Sequence, residues 1–129
     1  MDNKPFGYIL MLDAAGCSGN ITSKDHIQTF VNELVKVMKM DKKGDTIFEY
    51  FEDTPFNRDN DIIGYSVVQI ISLSNITIHI NEISRTIYLD VFTCGNLDEI
   101  LIRLLFCDYF LPKTLKSKIV VRNALSEEF

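Results

Sequence analysis

The sequence predicts an α+β fold, a two-layer sandwich in which an antiparallel sheet carries two helices on one face. Three observations predict it. Two segments with apolar residues at helical spacing flank a block of short apolar runs, turn residues separate those runs, and the runs alternate between apolar and mixed side chains. At 129 residues the chain suits a single domain spanning 1–129. A domain of that size buries roughly two-thirds of its unfolded surface, enough for one core.

The elements follow in order. Residues 6–12, Phe-Gly-Tyr-Ile-Leu-Met-Leu, read as a buried first strand, and Asp13 to Asn20 as a loop. Thr22 or Ser23 can cap a helix running to about Met40, because Ile27, Phe30, Val31, Leu34, Val35 and Met38 recur at helical spacing. Asp41 to Asp45 is a turn around Gly44, Thr46 to Phe51 a short strand, and residues 53–61 a polar loop. Three apolar runs follow, at about 63–72, 75–80 and 86–93, and Asn81 to Arg85 joins the last two as a hairpin. Isoleucine is concentrated here, and β-branched side chains favour strands. Asn96 can cap a second helix through about Phe110, with Ile100, Leu101, Leu104 and Leu105 along it; Pro112 ends it. Lys118 to Val121 reads as a last strand, and residues 125–129 as a tail.

Alternation assigns faces. In the 75–80 strand, Asn75, Thr77 and His79 share one side and Ile76, Ile78 and Ile80 the other. In the next strand, Tyr88, Asp90, Phe92 and Cys94 lie opposite Ile87, Leu89 and Val91. The isoleucine-rich faces are expected to meet the helices. His79 and Cys94 belong on the open side. An open face bearing Tyr88 and Phe92 needs a cover, and a second copy of the chain can supply one, which predicts a homodimer.

Composition narrows the function. The net charge is −5 and no basic stripe exists, which argues against a nucleic-acid partner. The apolar runs are too short to span a bilayer, and Met1 to Pro5 lack a signal-peptide pattern, so a cytoplasmic, membrane-free protein is expected. Cys17, Cys94 and Cys107 are odd in number and form no CxxC pair, which argues against a disulfide framework and a structural zinc site; no metal is expected. Cys107 sits among helix leucines and reads as core, Cys17 as a structural loop residue, and His26 as a solvated helix residue. Asn75-Ile76-Thr77 has the form of a glycosylation acceptor, which a cytoplasmic chain does not present for modification.

One constellation carries chemistry. Ser74-Asn-Ile-Thr-Ile-His79 is followed by Asp90-Val-Phe-Thr-Cys-Gly95, with Gly64-Tyr-Ser66 before them and Leu12-Asp13 and Gly16-Cys17 near the start. This pattern resembles the signature of the prokaryotic-type S-adenosylmethionine decarboxylases, over nearly the whole chain. The interval from His79 to Cys94 fits without a gap. The resemblance implies that family's fold and a pyruvoyl cofactor made from the chain's own Ser74, with cleavage between Leu73 and Ser74. It implies that Ser66 and His79 assist processing, His79 as base, and that Cys94 donates a proton in catalysis. Asp13 matches an acidic position that helps hold the substrate amine. These residue types suit the chemistry. A serine hydroxyl can attack the preceding carbonyl to give an ester, a neighbouring donor such as Ser66 can stabilise the oxyanion, and a base can then remove the serine α-hydrogen. The ketone left on residue 74 serves as an electron sink for decarboxylation.

The chain also departs from the pattern. Leu73 stands where the family usually has Glu, and Asn75 where it has His. The acid that binds the substrate ribose falls one position early, at Glu82, with Ile83 in its expected place; a one-residue shift along a strand reverses the face. Asn60 occupies the place of the aromatic that stacks on adenine, and Phe56 is the nearest aromatic upstream. The processing set is intact while the nucleoside-binding set is eroded. Three readings follow: decarboxylation of S-adenosylmethionine for spermidine synthesis, decarboxylation of a simpler amino acid such as arginine or ornithine, or a non-cleaving binding or regulatory homologue.

Overall fold

The computed structural model describes residues 4–129, so the amino-terminal reading made on Met1 to Asn3 lies outside the described residues. The elements are β1 (Gly7–Ala15), α1 (Lys24–Val37), β2 (Ile47–Phe51), α2 (Pro55–Asp59), β3 (Gly64–Ile71), β4 (Ser74–Asn81), β5 (Thr86–Thr93), α3 (Glu99–Phe110) and β6 (Thr114–Arg122). The strands form one sheet in the order β2-β3-β4-β5-β1-β6, and every neighbouring pair is antiparallel. The expected α+β sandwich therefore forms. Its sheet places β1 between β5 and β6, so the chain's first strand closes against its last.

The inner faces of the strands and the helices share one buried cluster. It contains Leu10 and Leu12 of β1, Val67 of β3, Ile76, Ile78 and Ile80 of β4, and Ile87, Leu89 and Val91 of β5. Ile27, Phe30, Val31, Leu34 and Val35 of α1 pack onto it, as their helical spacing dictates. Phe30, Phe106 and Phe110 lock α1 to α3, with ring centroids 4.9 to 5.9 Å apart. Edge-to-face and tilted aromatic contacts of this kind add to the stabilisation from buried area.

Several details differ from the sequence reading. Ser23 is the cap of α1, its hydroxyl accepting from the His26 N–H at 3.1 Å. The 53–61 loop contains α2, because Thr54 caps it and Pro55 occupies the first turn, where no amide hydrogen is needed. Asp98, not Asn96, caps α3. In α3 the buried stripe is Ile102, Phe106 and Phe110, while Ile100, Leu101 and Leu104 are exposed. The helix is apolar nearly all round, so spacing alone does not reveal which side meets the sheet. His26 is not solvated: its Nε2 is 2.9 Å from the Tyr109 carbonyl oxygen, tying α1 to the end of α3. Cys107 is half-buried, and β6 is twice as long as the 118–121 run suggests because it pairs with β1 along its whole length.

Candidate active site

Register across the sheet sets the site. One row of six residues crosses the open face, one from each strand: Glu49, Ser66, His79, Tyr88, Asp13 and Lys116. All six are polar. In the middle of the row Ser66 Oγ and His79 Nδ1 form a hydrogen bond of 3.1 Å. Nε2 of the ring takes no hydrogen bond among the described residues. Asp90 lies one strand over from His79 on the same face, opposite Thr77. Partial burial raises the Asp90 carboxyl above its ordinary range; His79 opposes that rise and Asp13 adds to it.

Ser74 and Cys94 lie elsewhere. Leu73 is in the two-residue turn that joins β3 to β4, and Ser74 is the first residue of β4, paired with Ile71. The turn is gripped from both sides. On one side the Ser72 N–H donates to the Asp41 carbonyl at 3.0 Å, and the Asp41 N–H donates to Ser72 Oγ at 3.0 Å. On the other, the Cys94 N–H donates to the Leu73 carbonyl oxygen at 3.1 Å, and Cys94 Sγ donates to the same oxygen at 3.4 Å. The hydroxyl of Ser74 donates to Met40 Sδ at 3.1 Å, a weak acceptor that engages it lightly. Gly95 has to be small: a Cβ there would lie 2.8 Å from Met40 Cε and 3.2 Å from Leu73 Cδ1.

Two half-sites result. Ser66, His79, Asp13 and Asp90 form one, and Leu73, Ser74 and Cys94 the other. His79 is five positions along β4 from Ser74, about 16 Å at the rise of a strand. The odd spacing also turns their side chains to opposite faces. Within one chain, neither Ser66 nor His79 reaches the Leu73–Ser74 bond.

The model of the family described as S-adenosylmethionine decarboxylase matches residues 8–123. The chain belongs to the S-adenosylmethionine decarboxylase family. Its fold also resembles that of the adenosylmethionine decarboxylase from Aquifex aeolicus VF5, with a TM-score of 0.76 at 21% sequence identity over 98% of each chain. A comparison with curated proteins finds no match.

Of the residues that the resemblance linked to the nucleoside, Glu82 and Asn60 are hydrogen-bonded within this chain. Glu82 accepts a hydrogen bond from Tyr50 Oη at 3.1 Å, and Ile83 is exposed. Burial, then the bond to Glu82, raises the Tyr50 phenol. Asn60 donates to the Phe56 carbonyl at 2.8 Å. A cavity of about 510 Å³ is lined by residues that include Phe6, Phe92, Arg122, Leu125 and Phe129. Arg122 stands over the Phe92 ring at 5.2 Å. The chain's two terminal segments wall this cavity. Sequence reasoning also missed Met40 and the Cys94 amide. A backbone donor leaves no residue-type signal, and Met40 approaches only through the fold.

Proposed function

We propose that this chain is a proenzyme that cuts itself between Leu73 and Ser74, and that the product is a pyruvoyl-dependent decarboxylase of S-adenosylmethionine serving spermidine synthesis in the cytoplasm. The observation that carries the reading is the double hold on the Leu73 carbonyl oxygen by the Cys94 amide and thiol. A carbonyl polarised by two donors is prepared to accept negative charge. The adjacent hydroxyl of Ser74 is the nucleophile, forming a bond to the Leu73 carbonyl carbon as the C–N bond breaks and the nitrogen gains a proton. In this reading the Cys94 donors hold the oxyanion, and Ser66 is bonded to His79.

The ester is then opened by loss of the α-hydrogen of residue 74 as a proton. The C–H electrons form the Cα–Cβ double bond, and the ester oxygen leaves with the Leu73 carboxylate; the dehydroalanine so formed tautomerises to an imine, which water hydrolyses, releasing the residue-74 nitrogen as ammonia and leaving the pyruvoyl ketone. His79 is the base, acting through Nε2. Because it lies about 16 Å along the strand from Ser74 of its own chain, the ring that acts comes from a second copy packed on the open face. This makes the homodimer a requirement of the chemistry. Tyr88, 44% exposed, and the other open-face side chains are what that copy covers. The site fits the group: after cleavage residue 74 remains next to the Cys94 thiol, which can protonate the substrate carbon. The pyruvoyl ketone supplies the electron sink for the departing carbon dioxide. Asp13 is the acid available to a substrate amine.

The engagement of Glu82 by Tyr50, with Ile83 and Asn60 in place of nucleoside contacts, favours a second reading in which the substrate is a simpler amino acid such as arginine or ornithine. Intact-mass analysis of purified protein tests the shared core of both. The expected result is two chains, residues 1–73 and a 56-residue partner blocked at residue 74. A single uncut chain after prolonged incubation would leave the non-cleaving homologue standing. Decarboxylation assays with the three substrates then separate the two enzyme readings.

A further inference from the structure

We propose that Asp90 is a positioning residue for His79, a carboxylate that stabilises the imidazolium formed when the ring takes the α-proton. The inference rests on the processing role of His79. It starts from register. His79 faces Tyr88 across the β4–β5 ladder, and Asp90 is two residues beyond Tyr88 on the same face. Diagonal neighbours of this kind are about 7–8 Å apart at their Cα atoms, within reach of a longer side chain.

The other charged groups around the ring are farther off. Glu49 on β2 and Asp13 on β1 are each two strands from β4, and Lys116 on β6 is three strands away. β3 offers His79 the hydroxyl of Ser66 and the apolar Val68, with no charge. Asp90 is therefore the acid on the strand next to the imidazole. Lys116 stands directly opposite Asp13, so that acid has its own cation in register. Asp90 has Met11 across from it on β1 and Thr77 on β4, neither of them charged.

Covering the open face would strengthen the coupling. Docking a second copy removes water from a face that already carries Asp13 and Asp90, and like charges in a drier setting demand a cation. A proton arriving on His79 supplies it. Ser66 fixes the ring through Nδ1, so the proton arrives at Nε2 and the positive charge spreads over a ring whose neighbouring strand carries the carboxylate. Asp90 touches neither substrate nor the reacting bond; it acts through His79.

The coupling is reciprocal, so it can be read from the carboxylate. The experiment uses the full-length Ser74→Ala protein, which holds one uncut chain whether or not the wild type processes itself. Carbon-detected NMR follows the Asp90 carboxyl through acid pH with and without His79→Gln. Loss of the imidazolium is expected to move the Asp90 midpoint up by roughly half a unit or more. Ser66→Ala, which keeps the imidazolium, should leave the Asp90 midpoint near its starting value. In the cleavable background, Asp90→Asn should lower the processing rate about tenfold and move its rising pH limb to lower pH, and Asp90→Glu should restore much of both. An Asp90 midpoint that ignores His79→Gln, or an Asp90→Asn rate profile that loses height without moving along the pH axis, would overturn the proposal. Failure of the wild type to cut would count against the processing reading and leave the NMR result to judge the pairing by itself.

Discussion

At the scale of single residues, the proposed function gives Cys94 two roles that substitution can separate. Its amide holds the Leu73 oxygen whatever the side chain, while the thiol lies at 3.4 Å. Cys94→Ala should therefore still cut, more slowly, and then lose most decarboxylase turnover; timed electrophoresis and carbon dioxide release measure the two separately. Cys17 shows the contrary case of an inert thiol. It is fully buried, and burial pushes its pKa up to about 11, with Cys107 adding to the rise and Arg85 opposing it. A raised folded value means the fold prefers the protonated thiol. That preference is complete below about pH 9 and is lost as pH climbs toward 11, a change of roughly 2–3 kcal/mol. Thermal unfolding from pH 8 to 11 should show this loss, and Cys17→Ala should remove that part of the slope. Both cysteines are equally visible in the sequence. Only the DVFTCG context of Cys94 marked it as chemical, and only the fold shows that Cys17 is enclosed.

At the scale of elements, β3 and β4 bring Ser66 to His79, and Gly64 at the start of β3 lies close against the Ile80 carbonyl of β4. Its φ is +138°, and a Cβ there would lie 2.2 Å from the Ile80 carbonyl oxygen. Gly64→Ala must therefore strain the backbone or part the strands. We expect a loss on the order of 2–4 kcal/mol in chemical denaturation, with slowed processing as the ladder shifts. The helix layer has its own anchor in Phe30, buried against Phe106 and Phe110. Phe30→Ala should cost about 3–5 kcal/mol while leaving the Ser66–His79 register intact, so the two variants separate stability from chemistry. Alternation along β4 and β5 was legible, and it put His79 on the open side; Cys94 lies past the end of β5, where alternation names no face. The row from Glu49 to Lys116 was not legible, because cross-strand register depends on how six separated segments align. The inward side of α3 was hidden for another reason: apolar residues surround the helix, so its periodicity names no face.

At the scale of the whole molecule, the sheet keeps the nucleophile and the base apart. The half-site of Leu73, Ser74 and Cys94 lies about 16 Å along a strand from the half-site of Ser66 and His79, and the proposed second copy would bring the two together. The sequence suggests a dimer from Tyr88 and Phe92, of which the structure exposes Tyr88 and half-buries Phe92 against Phe6 and Arg122; that the proposed site is split between copies was not legible, since five positions of separation look close on paper. Co-expression of two disabled chains tests this directly. Ser74→Ala has no nucleophile and His79→Ala has no base, so neither alone should yield both fragments. Together they form mixed dimers in which one site combines an intact Ser74 from one copy with an intact His79 from the other. Mass analysis of the co-expressed pair should find the His79→Ala chain cut after Leu73 and the Ser74→Ala chain whole. If the mixture stays as uncut as either variant alone, the site is not shared between copies and the account is wrong.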